Sequence, residues 1–333
     1  MSGPLTSQNL LARSQATIAT GSKSFAAAAR LFAPETRESV VLLYAWCRYC
    51  DDLIDGQRLG HGRIADNPMA PGEVLAGLRE RTRAVFRGEP PAEPEFAAFA
   101  AVVRRHAIPE AYALAHLDGF AMDVEGRVYR SFDDTLDYCY RVAGVVGLMM
   151  AHVMGVRRTD ILDRACDLGI AFQLTNIARD VIEDAQIGRV YLPEKWLEEA
   201  GIPVAEMVRE RHRRALAGVV ARLLREAEPY YASAAIGIAY LPPRSAWAIA
   251  TALRVYRAIG SKVVQHGSAA WDERVATSRA TKLGAMIGGG TRAFAAIASG
   301  RVRAPPPRQD LWTRPRCGAA FVGTANATRG PTA

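Results

Sequence analysis

The chain has 333 residues, half of them hydrophobic, with 42 Lys and Arg against 34 Asp and Glu, for a formal net charge of +8. That apolar content excludes a disordered chain, and the basic excess is scattered along the chain without an RNA-binding motif, so no nucleic-acid partner is expected. The longest apolar run, 142–156, contains His152 and is shorter than the roughly 20 residues of a membrane span, and the first residues lack a signal-peptide pattern, so a cytoplasmic protein, at most peripheral to the inner face of the membrane, is expected.

Periodic segments rich in Ala and Leu dominate, and alternating β-branched runs are nearly absent, which predicts an all-α fold. A helix or helix pair is expected over 9–30, and it carries Ser22, Lys23 and Ser24. Pro34 and Glu35 open a second helix that runs to Asp55. Residues 56–72, rich in Gly, Asn and Pro, are expected as a loop. Helices follow at 73–87, 95–106 and 109–124. The next, 131–155, has Ser131 as its cap, and Tyr138, Val142, Val145 and Met149 share one of its faces. Its Gly144 and Gly147 leave room for a neighbouring helix or a ligand. Further helices are expected at 160–187, 203–228, 243–265 and 272–299. Residues 1–300 thus read as one helical domain. Residues 301–333, aperiodic and rich in Arg, Pro and Gly, are expected to be a disordered tail.

Two stretches carry the chemistry: YAWCRYCDDLID at 44–55 and QLTNIARDVIED at 173–184. On a helix, Tyr44, Arg48, Asp51 and Asp55 fall in a stripe roughly 60° wide, and Gln173, Asn176, Asp180 and Asp184 in one roughly 80° wide. Like charges four apart are unfavourable, and more so among apolar neighbours such as Trp46, Ile54, Ile177 and Val181. A lone DxxxD is commonly a solvated face. Two copies, each in an apolar helix with amide or guanidinium groups on the same stripe, point instead to a hard divalent cation. Magnesium is held by one or two carboxylates plus substrate phosphates, so facing rows could clamp it on a diphosphate. Of the five cysteines, Cys47 and Cys50 form a CxxC with no second ligand pair, so buried helix cysteines are expected rather than a zinc site.

These two segments, together with GSKSF (21–25), LDGFAMDV (117–124) and YCYRVAGVVG (138–147), resemble the squalene/phytoene synthase family from about residue 15 to residue 290. GRVYLP and DGFAMDV look most like its bacterial, phytoene-forming branch. The resemblance implies an isoprenoid-synthase-type helical bundle with a central apolar cavity. It implies a prenyl transferase that joins two geranylgeranyl diphosphates head to head, through a cyclopropylcarbinyl diphosphate, to a triene hydrocarbon of carotenoid biosynthesis. By the same resemblance, Asp51, Asp55, Asn176, Asp180 and Asp184 hold magnesium, with manganese as the alternative, and Gln173 lies close by. Ser22, Lys23, Ser24, Tyr44, Arg48 and Arg189 contact the diphosphates, and Tyr256, Arg274 and Lys282 match contacts late in the chain. Tyr138 matches a tyrosine that assists proton removal. No NADPH is expected, and the product is expected to pass to a bilayer or to a phytoene desaturase. The rival readings are a farnesyl-diphosphate-using dehydrosqualene or squalene synthase, and a non-catalytic helical assembly factor, which predicts damaged metal ligands.

Overall fold

Pro34 stands in the first turn of helix α2 (Pro34–Asp55), where its missing N–H costs nothing. Gly56 ends that helix in a left-handed conformation, φ 59°, with its N–H on the Asp52 carbonyl. The acidic row therefore finishes one residue before the chain turns away. The computed structural model describes residues 14, 23–58, 61–63, 69–272, 284–291, 305–308 and 310–316. A short helix α1 (Lys23–Ala29) precedes α2. After α2 come a two-stranded antiparallel ribbon, β1 (Gln57–Arg58) and β2 (His61–Arg63), with Gln57 opposite Arg63, and then helices α3 (Pro71–Arg87), α4 (Pro94–His106) and α5 (Glu110–Val124). The stretch expected as a plain loop thus contains a small hairpin.

Helix α6 (Phe132–Cys139) starts at Ser131, whose hydroxyl accepts from the Asp134 N–H while the Asp134 carboxylate accepts from the Ser131 N–H. A π turn (Tyr140–Gly144) joins it to α7 (Val145–Val153). The wider turn shifts the phase of the helix. The predicted face of Tyr138, Val142, Val145 and Met149 becomes Tyr138, Val142, Val146 and Met150 along the central cavity, while Val145 and Met149 turn into the core at 0% exposure.

Helix α8 (Thr159–Gln186) is the axis of the molecule and packs on α7, the π turn, α10 (Arg213–Gly237) and α11 (Pro243–His266). At the α7–α8 crossing, a Cβ on Gly147 would collide with the Ala165 carbonyl, and one on Gly169 with the Ala143 carbonyl. The small residues of α7 therefore serve helix–helix approach. On the far side of the bundle, Trp46 is fully buried and stacks on Phe99 at 3.9 Å. Such burial contributes roughly 1.5–3 kcal/mol per large apolar side chain.

Two further expectations are corrected. The helix expected at 203–228 is instead two short 3₁₀ turns, a connecting segment, and α10 over Arg213–Gly237, which continues through Pro229. Pro229 is exposed, so the Arg225 carbonyl that loses its donor faces water and the helix survives. Secondly, residues 305–308 and 310–316, expected within a disordered tail, lie on the bundle. Arg308 donates to Asp167 at 2.6 and 2.8 Å, and Arg314 and Arg316 donate to Asp163 at 2.7–2.9 Å. Asp167 is fully buried and requires such a partner. The remaining α-helices among the described residues are α9 (Glu194–Glu199) and α12, over 284–291. Among the described residues no helix is long and apolar enough to cross a membrane.

Candidate active site

A cavity of about 440 Å³ runs between α2, α5, α7, α8, α10 and α11. Apolar groups from α7, α8 and α11, including Val146, Met150, Leu168, Phe172 and Ile249, form most of its wall. Its polar end is lined by Tyr44, Arg48, Asp51, Asp123, Tyr138, Gln173, Asn176, Arg189 and Tyr256. The helical stripe read from the second acidic segment extends down α8 as Asn176, Phe172, Leu168 and Ile161, so one helix supplies both the polar mouth and the greasy wall.

The two acidic rows meet at this mouth. Arg189, in the turn after α8, donates from Nη2 to Asp55 Oδ1 of α2 at 2.5 Å. On α2, Arg48 Nη1 donates to Asp51 Oδ2 at 2.5 Å. On α8, Arg179 Nε donates to Asp180 Oδ1 at 2.7 Å, and Asn176 Nδ2 to Gln173 Oε1 at 3.3 Å. Burial pushes the Asp51 carboxyl up to about 6 against the pull of Arg48, with Asp55 and Asp52 adding to the rise. Burial and then the charge of Asp180 push Asp184 up to about 7. The mouth is thus a place where negative charge is crowded and partly desolvated, and a divalent cation would relieve it.

The donor set fits such an ion. Carboxylate and amide oxygens are hard ligands, and the buried Asn176 Oδ1 has no hydrogen-bond partner among the described residues. Among those residues no three His, Cys, Asp or Glu side chains converge on one point. An ion held here would complete its shell with water and ligand oxygens, the usual habit of magnesium.

Tyr138 is buried and donates to Asp123 Oδ2 at 3.2 Å, and its ring stacks on Tyr191 at 4.4 Å. Tyr191 donates to the other oxygen of Asp123 at 2.9 Å. Burial, then the charges of Tyr191 and Asp123, hold the Tyr138 hydroxyl well above its ordinary value. Tyr256 stacks on Phe172 at 4.0 Å, beside Arg179 and Tyr44.

Of the expected site residues, Tyr44, Arg48, Asp51, Tyr138, Gln173, Asn176, Arg189 and Tyr256 line the cavity, and Asp55, Asp180 and Asp184 gather at its rim through Arg189 and Arg179. Lys23 and Ser24 open α1, but their side chains lie outside what the structure describes, as do Ser22, Arg274 and Lys282 altogether. Three residues of the mouth were not anticipated from sequence: Asp123, Tyr129 and Arg179. Tyr129 packs edge-on against Tyr138 at 5.5 Å. The signal for Asp123 was a carboxylate between Met122 and Val124 in an apolar helix, and for Arg179 its adjacency to Asp180.

An all-helical bundle whose deep apolar cavity opens between two acidic rows is built to hold a long hydrocarbon with an anionic head. The chain belongs to the squalene/phytoene synthase family, whose model matches residues 18–281. It is 52% identical to a 15-cis-phytoene synthase of Pantoea ananas over 92% of this chain and 98% of that one. It is 53% identical to a 15-cis-phytoene synthase of a Paracoccus species, with the same two coverages, 92% and 98%. Among solved structures, a dehydrosqualene synthase in complex with ligand superposes with a TM-score of 0.78 at 28% identity, over 87% of this chain and 98% of the other. The bundle is the isoprenoid-synthase fold.

Proposed function

We propose that this chain is a phytoene synthase of carotenoid biosynthesis, a transferase that condenses two geranylgeranyl diphosphates head to head and releases two diphosphates. The observation that carries this reading is the cavity itself, apolar along α7 and α8 and acidic where Arg189 and Asp55 join the two rows. Identity of 52–53% to phytoene synthases, against 28% to the dehydrosqualene synthase, supports the longer substrate over farnesyl diphosphate.

Asp51, Asp55, Asn176, Asp180 and Asp184 would hold magnesium, which when bound supplies Lewis-acid stabilisation of the departing diphosphate. Arg48, Arg189 and Arg179 add preorganised donors for the phosphate oxygens. The apolar wall keeps water from the allylic cation, so the double bond of the second substrate captures it. Loss of a proton closes a cyclopropylcarbinyl diphosphate, and ionisation, rearrangement and a second proton loss yield the triene. Tyr138 and Asp123 line the cavity, with the Tyr138 proton directed at Asp123, which also accepts from Tyr191. An insoluble product calls for release into a bilayer at the cytoplasmic face or hand-over to a desaturase.

Purified protein given magnesium and either geranylgeranyl or farnesyl diphosphate tests the reading by product extraction and mass spectrometry. Phytoene from the first substrate, lost with a chelator and restored by magnesium or manganese but needing no NADPH, is the expected result. Turnover of farnesyl diphosphate alone would move the chain to the dehydrosqualene branch, and turnover of neither would end the enzyme reading.

A further inference from the structure

At the end of the cavity remote from the acidic rows stands a charged side chain that none of the chemistry above uses. Arg164 of α8 lines the cavity, yet it is only 3% exposed. At 1.5 Å per residue it lies about 24 Å along α8 from Asp180, beyond the Phe172 and Leu168 part of the wall. Its stem packs so closely on α10 that a Cβ on Gly237 would come within 2.9 Å of the Arg164 Cβ. Its head points away from the apolar space into a polar lock. Nη1 donates to the Ser233 carbonyl at 3.2 Å and to the Ser233 hydroxyl at 3.1 Å, and Nη2 donates to the Pro306 carbonyl. Ser233 in turn donates to Asp167 at 2.5 Å, and Asp167 is clamped by Arg308. Arg308 also reaches the Trp312 carbonyl at 2.5 Å, and the Trp312 N–H donates to the Tyr230 hydroxyl at 3.3 Å.

A buried guanidinium is costly, and each donor left without a partner adds to the cost. Here both Nη groups are satisfied, by Ser233 of α10 and by the Pro306 carbonyl, while Nε has no partner among the described residues. Removing the Pro306 contact would leave Nη2 unpaired as well as Nε, so the side chain would be free to swing outward and the end of the cavity would lengthen.

We propose that Arg164, latched by residues 305–308 through Pro306 and the Arg308–Asp167 pair, is a specificity-determining wall that limits how long a prenyl tail the cavity accepts. This rests on the prenyl-diphosphate reading above. Arg164 and Arg308 act by shaping the wall, so their signature is a change in selectivity rather than in metal dependence.

The test is a competition between geranylgeranyl diphosphate and the diphosphate one isoprene unit longer, read as the ratio of kcat/KM values on full-length protein. Arg164→Ala and Arg308→Gln should each raise the longer-to-shorter ratio by about tenfold or more, the scale of discrimination by a few methylenes in an apolar pocket. Arg87→Gln, which breaks an exposed ion pair with Glu80 on α3, should leave the ratio unchanged. Because the two variants act on the wall from opposite sides, a folded sample of either one decides the matter. A ratio within twofold of wild type in a folded variant that still turns over geranylgeranyl diphosphate overturns the wall, with the parent reading intact. If wild type turns over neither diphosphate, the parent reading fails and the wall falls with it.

Discussion

Arg189 and Asp55, 134 positions apart in the chain, meet at 2.5 Å and join the turn after α8 to the last turn of α2. Burial works against the Arg189 charge, yet the Asp55 hydrogen bond and charge hold it above the ordinary arginine value. This one contact turns two separate acidic helices into a single mouth. It also presents a guanidinium at the polar end of the cavity.

Arg189→Lys should therefore damage turnover while preserving the fold. Lysine retains the charge but loses the planar fork that can serve Asp55 and a phosphate together. The expected result is a fall in kcat/KM of roughly tenfold to a hundredfold, from loss of about 1.4–2.8 kcal/mol of transition-state stabilisation. Steady-state kinetics beside a circular dichroism melt would check it, and unaltered kinetics would remove Arg189 from the site.

Tyr138 and Asp123 should separate in their effects. The Tyr138 hydroxyl is buried, raised, and already donating to Asp123, which suits it poorly to accepting a proton. Tyr138→Phe keeps the stack on Tyr191 and removes one hydrogen bond, worth about 1 kcal/mol, so turnover should drop by less than about tenfold. Asp123→Asn, which alters both tyrosine contacts and the local charge, should cost more. A hundredfold loss in Tyr138→Phe would restore the tyrosine as a direct participant in proton removal.

The glycines of the α7–α8 crossing should tolerate no side chain. Gly147→Ala and Gly169→Ala each place a methyl on a backbone carbonyl of the opposing helix. Overpacking of this kind typically costs about 1–3 kcal/mol. Urea unfolding should show both midpoints lowered, whereas Gly218→Ala, where the space is open, should not lower it.

His116 should make stability fall in mild acid. Its ring is buried, 5.7 Å from Trp46 and 4.8 Å from Phe120, and burial lowers it to about 4, with the Arg141 carbonyl pulling the other way. The unfolded chain takes up this proton near pH 6.5 and the folded chain does not, so the contribution is intact above pH 6.5 and is lost as pH falls towards 4. At pH 5.5 the loss is about 1.4 kcal/mol. His116→Asn should flatten the decline in Tm between pH 7 and 5 relative to wild type, and parallel curves would exclude the assignment.

Much of the site is legible from local pattern. Carboxylates four apart in apolar helices imply a shared face wherever the helix ends up, and the Pro34 start, the Ser131 cap and the acidic stripes depend on neighbours within a few residues. The shared face of Asp51 with Asp55, and of Asp180 with Asp184, therefore follows from spacing alone. What the tertiary structure decided are the relationships that cross the chain. The Arg189–Asp55 contact, the placing of Asp123 under two tyrosines, the one-residue shift of the cavity face by the π turn, and the seating of Arg308 and Arg314 on α8 leave no local signature. Periodicity records which side of an element is apolar, but it carries no information about which distant group will satisfy a buried charge. That pairing exists only once packing has excluded water and made an unpaired carboxylate costly.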